Sequence, residues 1–177
     1  LVPPPPGLTV LVEPSDNIGG GAPGDATGLL RAIVEYRVAD AAVAINDPAC
    51  VAALQHRRVG DRVSLAIGGK GSRLDPGPLE LVVELISRSD GRFILEDKQS
   101  HLASMSGDSF DMGRCAVVRH EGVTILLTSH KTPPFDLGQW RSQGLEPKDF
   151  SFIGVKAAVA HRRAYDGIAA RMLWLRS

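Results

Sequence analysis

Short apolar runs alternate with helix-period segments over the first third of the chain. The run LTVLVEP (8–14) is rich in β-branched and apolar residues and ends at a proline, which is typical of a buried strand. From Ala26 onward, apolar residues recur at helical spacing. The run DAAVAIND (40–47) predicts a second strand, and Pro48 opens a second helix that reaches about Arg58. This β-α-β-α order predicts parallel strands in a small α/β layer.

The middle of the chain, about 60–130, contains short strand-like runs separated by turn signals. The runs are RVSLAIGG, LELVVELISRS, RFILE, RCAVVRH and VTILLTS, and the turns include DPGP, SDG and HEG. This spacing predicts an antiparallel meander or a small barrel. The serine-rich stretch 97–112 predicts a mobile loop that would act as a flap.

The end of the chain returns to the α/β pattern. It predicts a buried strand at 151–159, a helix over HRRAYDGIAARM (161–172) and a short strand at LWLRS (173–177). We therefore predict a mixed α/β fold, in which a small β-α-β-α layer is combined with the antiparallel meander or small barrel. The α/β parts cover about 8–58 and 150–177.

Composition and charge narrow the function classes. The chain has 177 residues, of which 20 are basic and 20 acidic, so no long-range positive field draws it to nucleic acid or to an anionic membrane. No apolar run approaches the ~18 residues of a spanning helix, and the first residues do not resemble a signal peptide. We expect a cytoplasmic protein. Cys50 and Cys115 are too few and too widely spaced for a zinc knuckle, and we expect two reduced, buried thiols.

The first seven residues include four consecutive prolines, a composition typical of an extended linker. We therefore divide the chain into a Pro-rich linker at 1–7 and one domain at 8–177. Because the chain begins with Leu1 and not with methionine, we expect it to be a piece of a longer protein.

The segment DNIGGGAPGD (16–25) follows the first predicted strand and precedes a helix, where phosphate-binding loops occur. It contains no lysine or arginine, and its spacing fits neither a P-loop nor the dinucleotide fingerprint. Asp16 and Asp25 would also repel a phosphate. Asp25 is instead well placed to be the N-cap of the first helix. Nucleotide binding is therefore disfavoured.

Two interpretations of this loop stay open. It is either a tight strand-to-helix turn, or a loop that something approaches closely: a substrate, a metal or another chain segment. The run Gly19, Gly20 and Gly21 favours the second, because several glycines cost folding entropy that one turn does not require. Asp16 and Asn17 lie at the carboxyl end of the first strand, where open α/β sheets usually bind ligands.

Two basic candidates lie near the end of the chain. Lys156 stands in an otherwise apolar strand, which favours an ion pair with a carboxylate over a catalytic role. His161 begins the segment HRR at the start of a predicted helix, where positive charge opposes the helix dipole. This segment is either solvated or held by an anionic partner or a substrate carboxylate.

Six segments, taken in order, resemble the C-terminal domain of the microcystinase C (MlrC) family. They are DNIGGGAPGD (16–25), AINDP (44–48), IGGK (67–70), SDGRF (89–93), MGRCAVVRHEGVTILLTSHKTPPFD (112–136) and FIGVKAAVAHRRAYDGIA (152–169). The resemblance covers nearly the whole chain. One departure is Ile18, where the family form of the loop has proline.

This resemblance implies a zinc metallopeptidase that cuts peptide or amide bonds in a small, peptide-like substrate. It also implies that the zinc ligands lie in a larger N-terminal domain, which would be the main partner of this chain. No cofactor is expected in the fragment, because its five histidines lack metal-ligand spacing, and the fragment alone is expected to be inactive. The alternative is a non-catalytic module for domain packing or for assembly of a homo-oligomer.

Overall fold

A computed structural model of the chain describes residues 4–175. The first three residues of the predicted linker and the last two of the predicted final strand lie outside the described residues. The strands are β1 (Leu8–Val12), β2 (Ala41–Asn46), β3 (Arg62–Ile67), β4 (Leu79–Ser89), β5 (Arg92–Ile94), β6 (Ser109–Asp111), β7 (Cys115–His120), β8 (Val123–Thr128), β9 (Phe152–Val155) and β10 (Ala169–Trp174).

The helices are short and few. They are α1 (Gly28–Glu35), α2 (Pro48–Leu54), α3 (His101–Ser106), α4 (Gly138–Arg141) and α5 (Arg162–Tyr165). Over residues 4–175, no helix is long and apolar enough to cross a membrane.

Eight strands form one mixed sheet in the order β10-β1-β9-β2-β8-β7-β4-β3. The first five of these strands pair in parallel, and the remainder pair as an antiparallel meander. The predicted mixed α/β fold with a meander is therefore confirmed. The barrel alternative is wrong, because the sheet stays open and ends at β10 and β3. The run RFILE is not part of the meander, because β5 pairs with β6 in a separate two-stranded sheet.

The two faces of the large sheet bury separate apolar cores. One core joins α1 and α2 to the parallel strands and to β3 and β4 of the same sheet. The other lies under α4 and α5 and includes Trp140 and Tyr165, both almost completely buried. The inner parallel strands β1, β9, β2 and β8 are therefore covered on both sides, which is why those runs are apolar throughout, whereas the edge strand β10 is partly exposed.

Several predicted boundaries were wrong. The first helix begins at Gly28 and not at Ala26, and the second ends at Leu54, short of the predicted Arg58. The predicted helix over 161–172 is helical at Arg162–Tyr165 alone. The second half of that segment forms β10, because β1 offers its backbone a parallel strand to pair with.

The stretch 97–112, predicted as a mobile loop, has regular structure. Ser100 caps α3 by accepting a hydrogen bond from the backbone N–H of Ala103 at 3.1 Å, and β6 follows the helix. Ser100 therefore serves as a helix cap, and its presence does not indicate a lack of structure.

The hairpin loop at 68–78, between β3 and β4, folds back onto the start of α1. Both oxygens of Asp75 accept hydrogen bonds from Thr27, one from its backbone N–H and one from its hydroxyl, each at 2.8 Å. Arg31 donates to the carbonyl oxygens of Gly77 and Pro78 at 2.7 and 2.9 Å. These contacts place the hairpin loop beside the end of β2.

His161 is fully buried just before α5, with its ring centroid 6.5 Å from that of Tyr165 and 6.2 Å from that of Trp174. Neither ring nitrogen has a hydrogen-bond partner among residues 4–175. Burial lowers the pKa of His161, the negative charge of Asp166 opposes this, and the positive charge of Arg162 adds a smaller lowering. His161 is therefore held as the neutral imidazole.

We predict that His161→Leu changes how stability depends on pH. Below about pH 6.5 the unfolded chain binds a proton at this histidine, whereas the folded chain resists protonation. The free energy of unfolding of the wild type therefore falls by up to about 1.4 kcal/mol per pH unit as the pH decreases. The leucine variant has no such group. Urea unfolding between about pH 7.5 and about pH 5.5 should therefore show that the stability of the variant, relative to that of the wild type, increases as the pH decreases.

The exposed His56 provides the control. The difference in unfolding free energy between His56→Leu and the wild type should not depend on pH. A stability difference for His161→Leu that does not change with pH would contradict the buried, neutral histidine.

Candidate functional site

Buried polar residues follow the parallel strands at one edge of the sheet. Glu13 comes directly after β1, Lys156 after β9, and Asp47 two positions beyond Ile45 of β2. Because β1, β9 and β2 are parallel neighbours, their carboxyl ends meet at one edge. Open α/β sheets usually bind ligands at this edge.

Lys156 lies at the centre of this edge, and the ion pair predicted for it is present. Its Nζ lies 2.7 Å from Glu13 Oε2 and 3.0 Å from Asp16 Oδ2, and it donates a hydrogen bond to the carbonyl oxygen of Ala26 at 2.8 Å. The three charged side chains are exposed by 6%, 7% and 4%. The ammonium therefore donates two hydrogen bonds inside the chain, to Glu13 and to Ala26, and Asp16 adds a second negative charge beside it.

The same network holds the glycine-rich loop. Asp16 accepts hydrogen bonds from the backbone N–H groups of Gly24 at 2.8 Å and Ala26 at 2.9 Å. The backbone N–H of Ile18 donates to the carbonyl oxygen of Lys156 at 3.2 Å. Both ends of the loop are thus fixed by Asp16 and Lys156.

Contacts within the chain explain much of the glycine run. A Cβ at Gly19 would stand 2.6 Å from the ring of Phe135, and one at Gly20 would stand 2.9 Å from Nδ2 of Asn17. Gly21 has a φ of +96°, which side chains rarely adopt. The segment that approaches the loop closely is therefore Phe135 of the same chain.

Asn17 lies at the surface of this fixed loop. Its backbone carbonyl accepts hydrogen bonds from Gly20 at 2.9 Å and from Ala22 at 3.1 Å. Its half-buried side-chain amide has no hydrogen-bond partner in the part of the chain that the structure describes. The amide donor and acceptor of Asn17 are thus available to a ligand.

Asp25 does not cap α1, so that prediction was wrong. Its Oδ2 accepts hydrogen bonds from the backbone N–H groups of Lys70 at 2.7 Å and Gly71 at 2.6 Å, in the hairpin loop. The N-cap position belongs to Thr27, whose N–H is taken by Asp75. The cap comes from a loop far along the sequence, which a local pattern cannot show.

Asp47 and Lys70 form a second ion pair that sequence reasoning missed, in which Asp47 is buried and the Lys70 side chain is 39% exposed. Asp47 accepts from the backbone N–H groups of Cys50 at 3.0 Å and Gly68 at 2.9 Å, and from Lys70 Nζ at 2.5 Å. Burial raises the pKa of Asp47, but these bonds, that of Lys70 above all, outweigh it and hold the pKa below its usual value. Burial lowers the pKa of Lys70, and Asp47 more than offsets this. Both residues belong to quoted motifs, AINDP and IGGK, but nothing local indicates that they pair.

His161 and the arginines after it have partners apart from this network. The ring of His161 packs towards Tyr165 and Trp174, as described above. Arg162 pairs with Asp166 at 3.3 Å, and Arg163 pairs with Asp97. The anionic partners considered for this segment are therefore present within the chain.

Two open grooves lie on either side of Asp25. One has a volume of about 330 Å³ and is bounded by Asp47, Lys70 and Lys131. The other, of about 610 Å³, is bounded by Glu13, Asp16 and the start of α1. The glycine-rich loop and the hairpin loop contribute walls to both grooves.

The described residues do not suit a zinc ion. Across residues 4–175, no group of three or more His, Cys, Asp or Glu side chains is placed to hold a metal. The two carboxylates that come closest to such an arrangement, Glu13 and Asp16, enclose the Lys156 ammonium instead.

Comparison with known proteins places this geometry in a family. The chain is 23% identical over 169 residues to microcystinase C from a Sphingomonas species, which covers 95% of the chain and 32% of that protein. The chain thus spans about a third of the length of this curated relative. A crystal structure from Mesorhizobium sp. BNC1, described as a provisional metallopeptidase, shares the fold with a TM-score of 0.85 and 23% identity, over 96% of the chain and 33% of that protein.

The family profile described as "MlrC C-terminus" matches residues 11–177, which include the anchored loop, both ion pairs and nearly the entire sheet. The chain therefore belongs to the MlrC C-terminal domain family.

Proposed function

We propose that this chain is the C-terminal, cleft-forming domain of a zinc-dependent peptidase or amide hydrolase that is inactive without its N-terminal domain. Membership of the family and the share of the relative's length that the chain covers support this proposal. The observation that carries it is the free amide of Asn17, held on an anchored loop at the ligand-binding edge of the sheet.

In this proposal the zinc belongs to the N-terminal domain, because the described residues of this chain do not suit it. This chain helps to position the substrate. The Asn17 amide can donate to a carbonyl oxygen and accept from an N–H, which are the two polar groups of a peptide bond. Since Asp16 and Lys156 fix the loop, this amide needs little further ordering when a small, peptide-like substrate binds.

The same loop also suits a second role, as a surface for domain packing or for assembly of a homo-oligomer. The contact between Gly19 and Phe135 explains this glycine without a substrate, so the glycine run does not separate the two roles. The cytoplasmic location and the absence of nucleic-acid and membrane partners stay predictions.

The variant Asn17→Ala separates these two roles. In the complete polypeptide we predict that it lowers the rate of hydrolysis of a small peptide by about tenfold or more, because substrate positioning is lost. The free energy of unfolding should change by less than about 0.5 kcal/mol, because no hydrogen bond within the described chain is removed. Steady-state kinetics, bound zinc and urea unfolding are measured on the same preparations.

Gln99→Ala removes an exposed side-chain amide elsewhere on the surface and serves as the matched control, with no expected effect. Unchanged hydrolysis in Asn17→Ala would contradict the substrate-contact role. Dissociation of the domains, or of an oligomer, with hydrolysis lost in proportion would instead indicate the packing role.

The variant Lys156→Met tests whether this lysine is structural. We predict a loss of about 3–5 kcal/mol of unfolding free energy, because Glu13 and Asp16 are left buried without their cation. The double variant Glu13→Gln/Lys156→Met removes one of these charges as well and should recover part of the loss. Single-variant stability close to wild type, measured by urea unfolding, would show that the buried ion pair is not needed to hold the fold.

A further inference from the structure

The smaller groove lies at the carboxyl end of β2, against the glycine-rich loop. Its volume is about 330 Å³, which is at the lower end of the range for small-molecule sites. Asp47, Lys70 and Lys131 contribute the charged walls apart from Asp25, and Pro23 joins the groove to the loop.

Lys131 is the cation of this groove that the chain leaves without a partner. It follows β8 by three positions, its side chain is exposed, and it lines the groove. Among the described residues it forms no salt bridge, and its ammonium donates no hydrogen bond. Its three N–H donors are therefore available to a ligand.

The carboxylates of the groove have already used much of their hydrogen-bonding capacity. Asp47 accepts three hydrogen bonds, from Cys50, Gly68 and Lys70. Asp25 accepts two from the backbone of the hairpin loop. Asp47, Lys70 and Asp25 therefore all have partners within the chain, and Lys131 is the charged side chain of the groove that has none among the described residues.

The uncharged walls are small and largely apolar. Pro23, Pro48, Ala49 and Gly71 contribute most of them, together with the polar side chain of Asn46, so the groove suits a short and largely aliphatic body. A ligand that complements both features carries a negatively charged acceptor on a small aliphatic frame. A carboxylate meets this description, because ammonium groups bind it through charge-assisted hydrogen bonds.

We propose that this groove binds the carboxylate of a small ligand through Lys131. This inference rests on the proposed function and deepens it, since the ligand would be the carboxylate-bearing end or side chain of the peptide substrate. The groove then orients the substrate from one side of the loop, while Asn17 contacts a peptide bond on the same edge of the sheet.

The test is a titration of the chain with N-acetylalanine, followed by the backbone amide signals in nuclear magnetic resonance. N-acetylalaninamide, which lacks the charge, is titrated in parallel. We expect saturable, millimolar binding of the carboxylate that shifts the signals of Lys131, Ala49 and Gly71, and weaker binding of the amide. Lys131→Met should weaken the carboxylate binding about fivefold, as is typical for loss of an exposed charge pair.

Lys148→Met, at an exposed lysine outside the groove, is the matched control and should bind like wild type. Equal affinity for the carboxylate and the amide, no saturable shift at millimolar concentrations, or unchanged binding by Lys131→Met would each overturn the proposal. The titration involves no hydrolysis. A peptidase assay that fails while the titration succeeds would therefore reject the proposed function and leave the carboxylate site standing.

Discussion

The buried ammonium of Lys156 is the constraint on which the rest of the site depends. One cation is enclosed with two carboxylates, and removing such groups from water costs several kcal/mol per ion unless each is paired and hydrogen-bonded. Backbone N–H groups of Gly24, Ala26 and Leu29 supply the remaining bonds, with distances of 2.8, 2.9 and 3.3 Å. The loop backbone is thus part of the solvation of the buried charges, and the loop cannot move away without exposing them.

Sheet topology gathers the polar groups at one place. The two apolar cores occupy the faces of the sheet, so the carboxyl edge of the parallel strands is where charged side chains can be accommodated. The hairpin loop at 68–78 completes this edge by supplying partners to Asp25 and Thr27. Two grooves result, and Asp25 stands between them.

The sequence predicted elements well where the signal is local. Alternating apolar runs identified the parallel strands and the meander, and the lone lysine in an apolar strand predicted its ion pair. The partners of that pair, Lys156 and Glu13, lie 143 positions apart, so no local pattern connects them. The same applies to Asp75, which caps α1 in place of Asp25. The role of β10 was missed because its strand state depends on β1, at the other end of the chain.

Some features of the candidate site could be predicted from the sequence, and others could not. The glycine-rich loop could be found from composition, since runs of glycine are costly without a reason. Its reason, the ring of Phe135, could not be found, because it requires the position of a segment more than a hundred residues away. Asp47 and Lys70 stood in recognised motifs, yet their pairing depends on the β3–β4 hairpin folding back over α2.

The central claim is that Lys156 holds the glycine-rich loop through Asp16. Native-state hydrogen exchange of the Gly24 and Ala26 amides, compared between wild type and Lys156→Met, tests it most directly. The account predicts that these two amides lose protection by more than the loss of global stability explains, while core amides of β2 and β8 follow global stability. Protection of Gly24 and Ala26 that falls only in step with the core amides would contradict it.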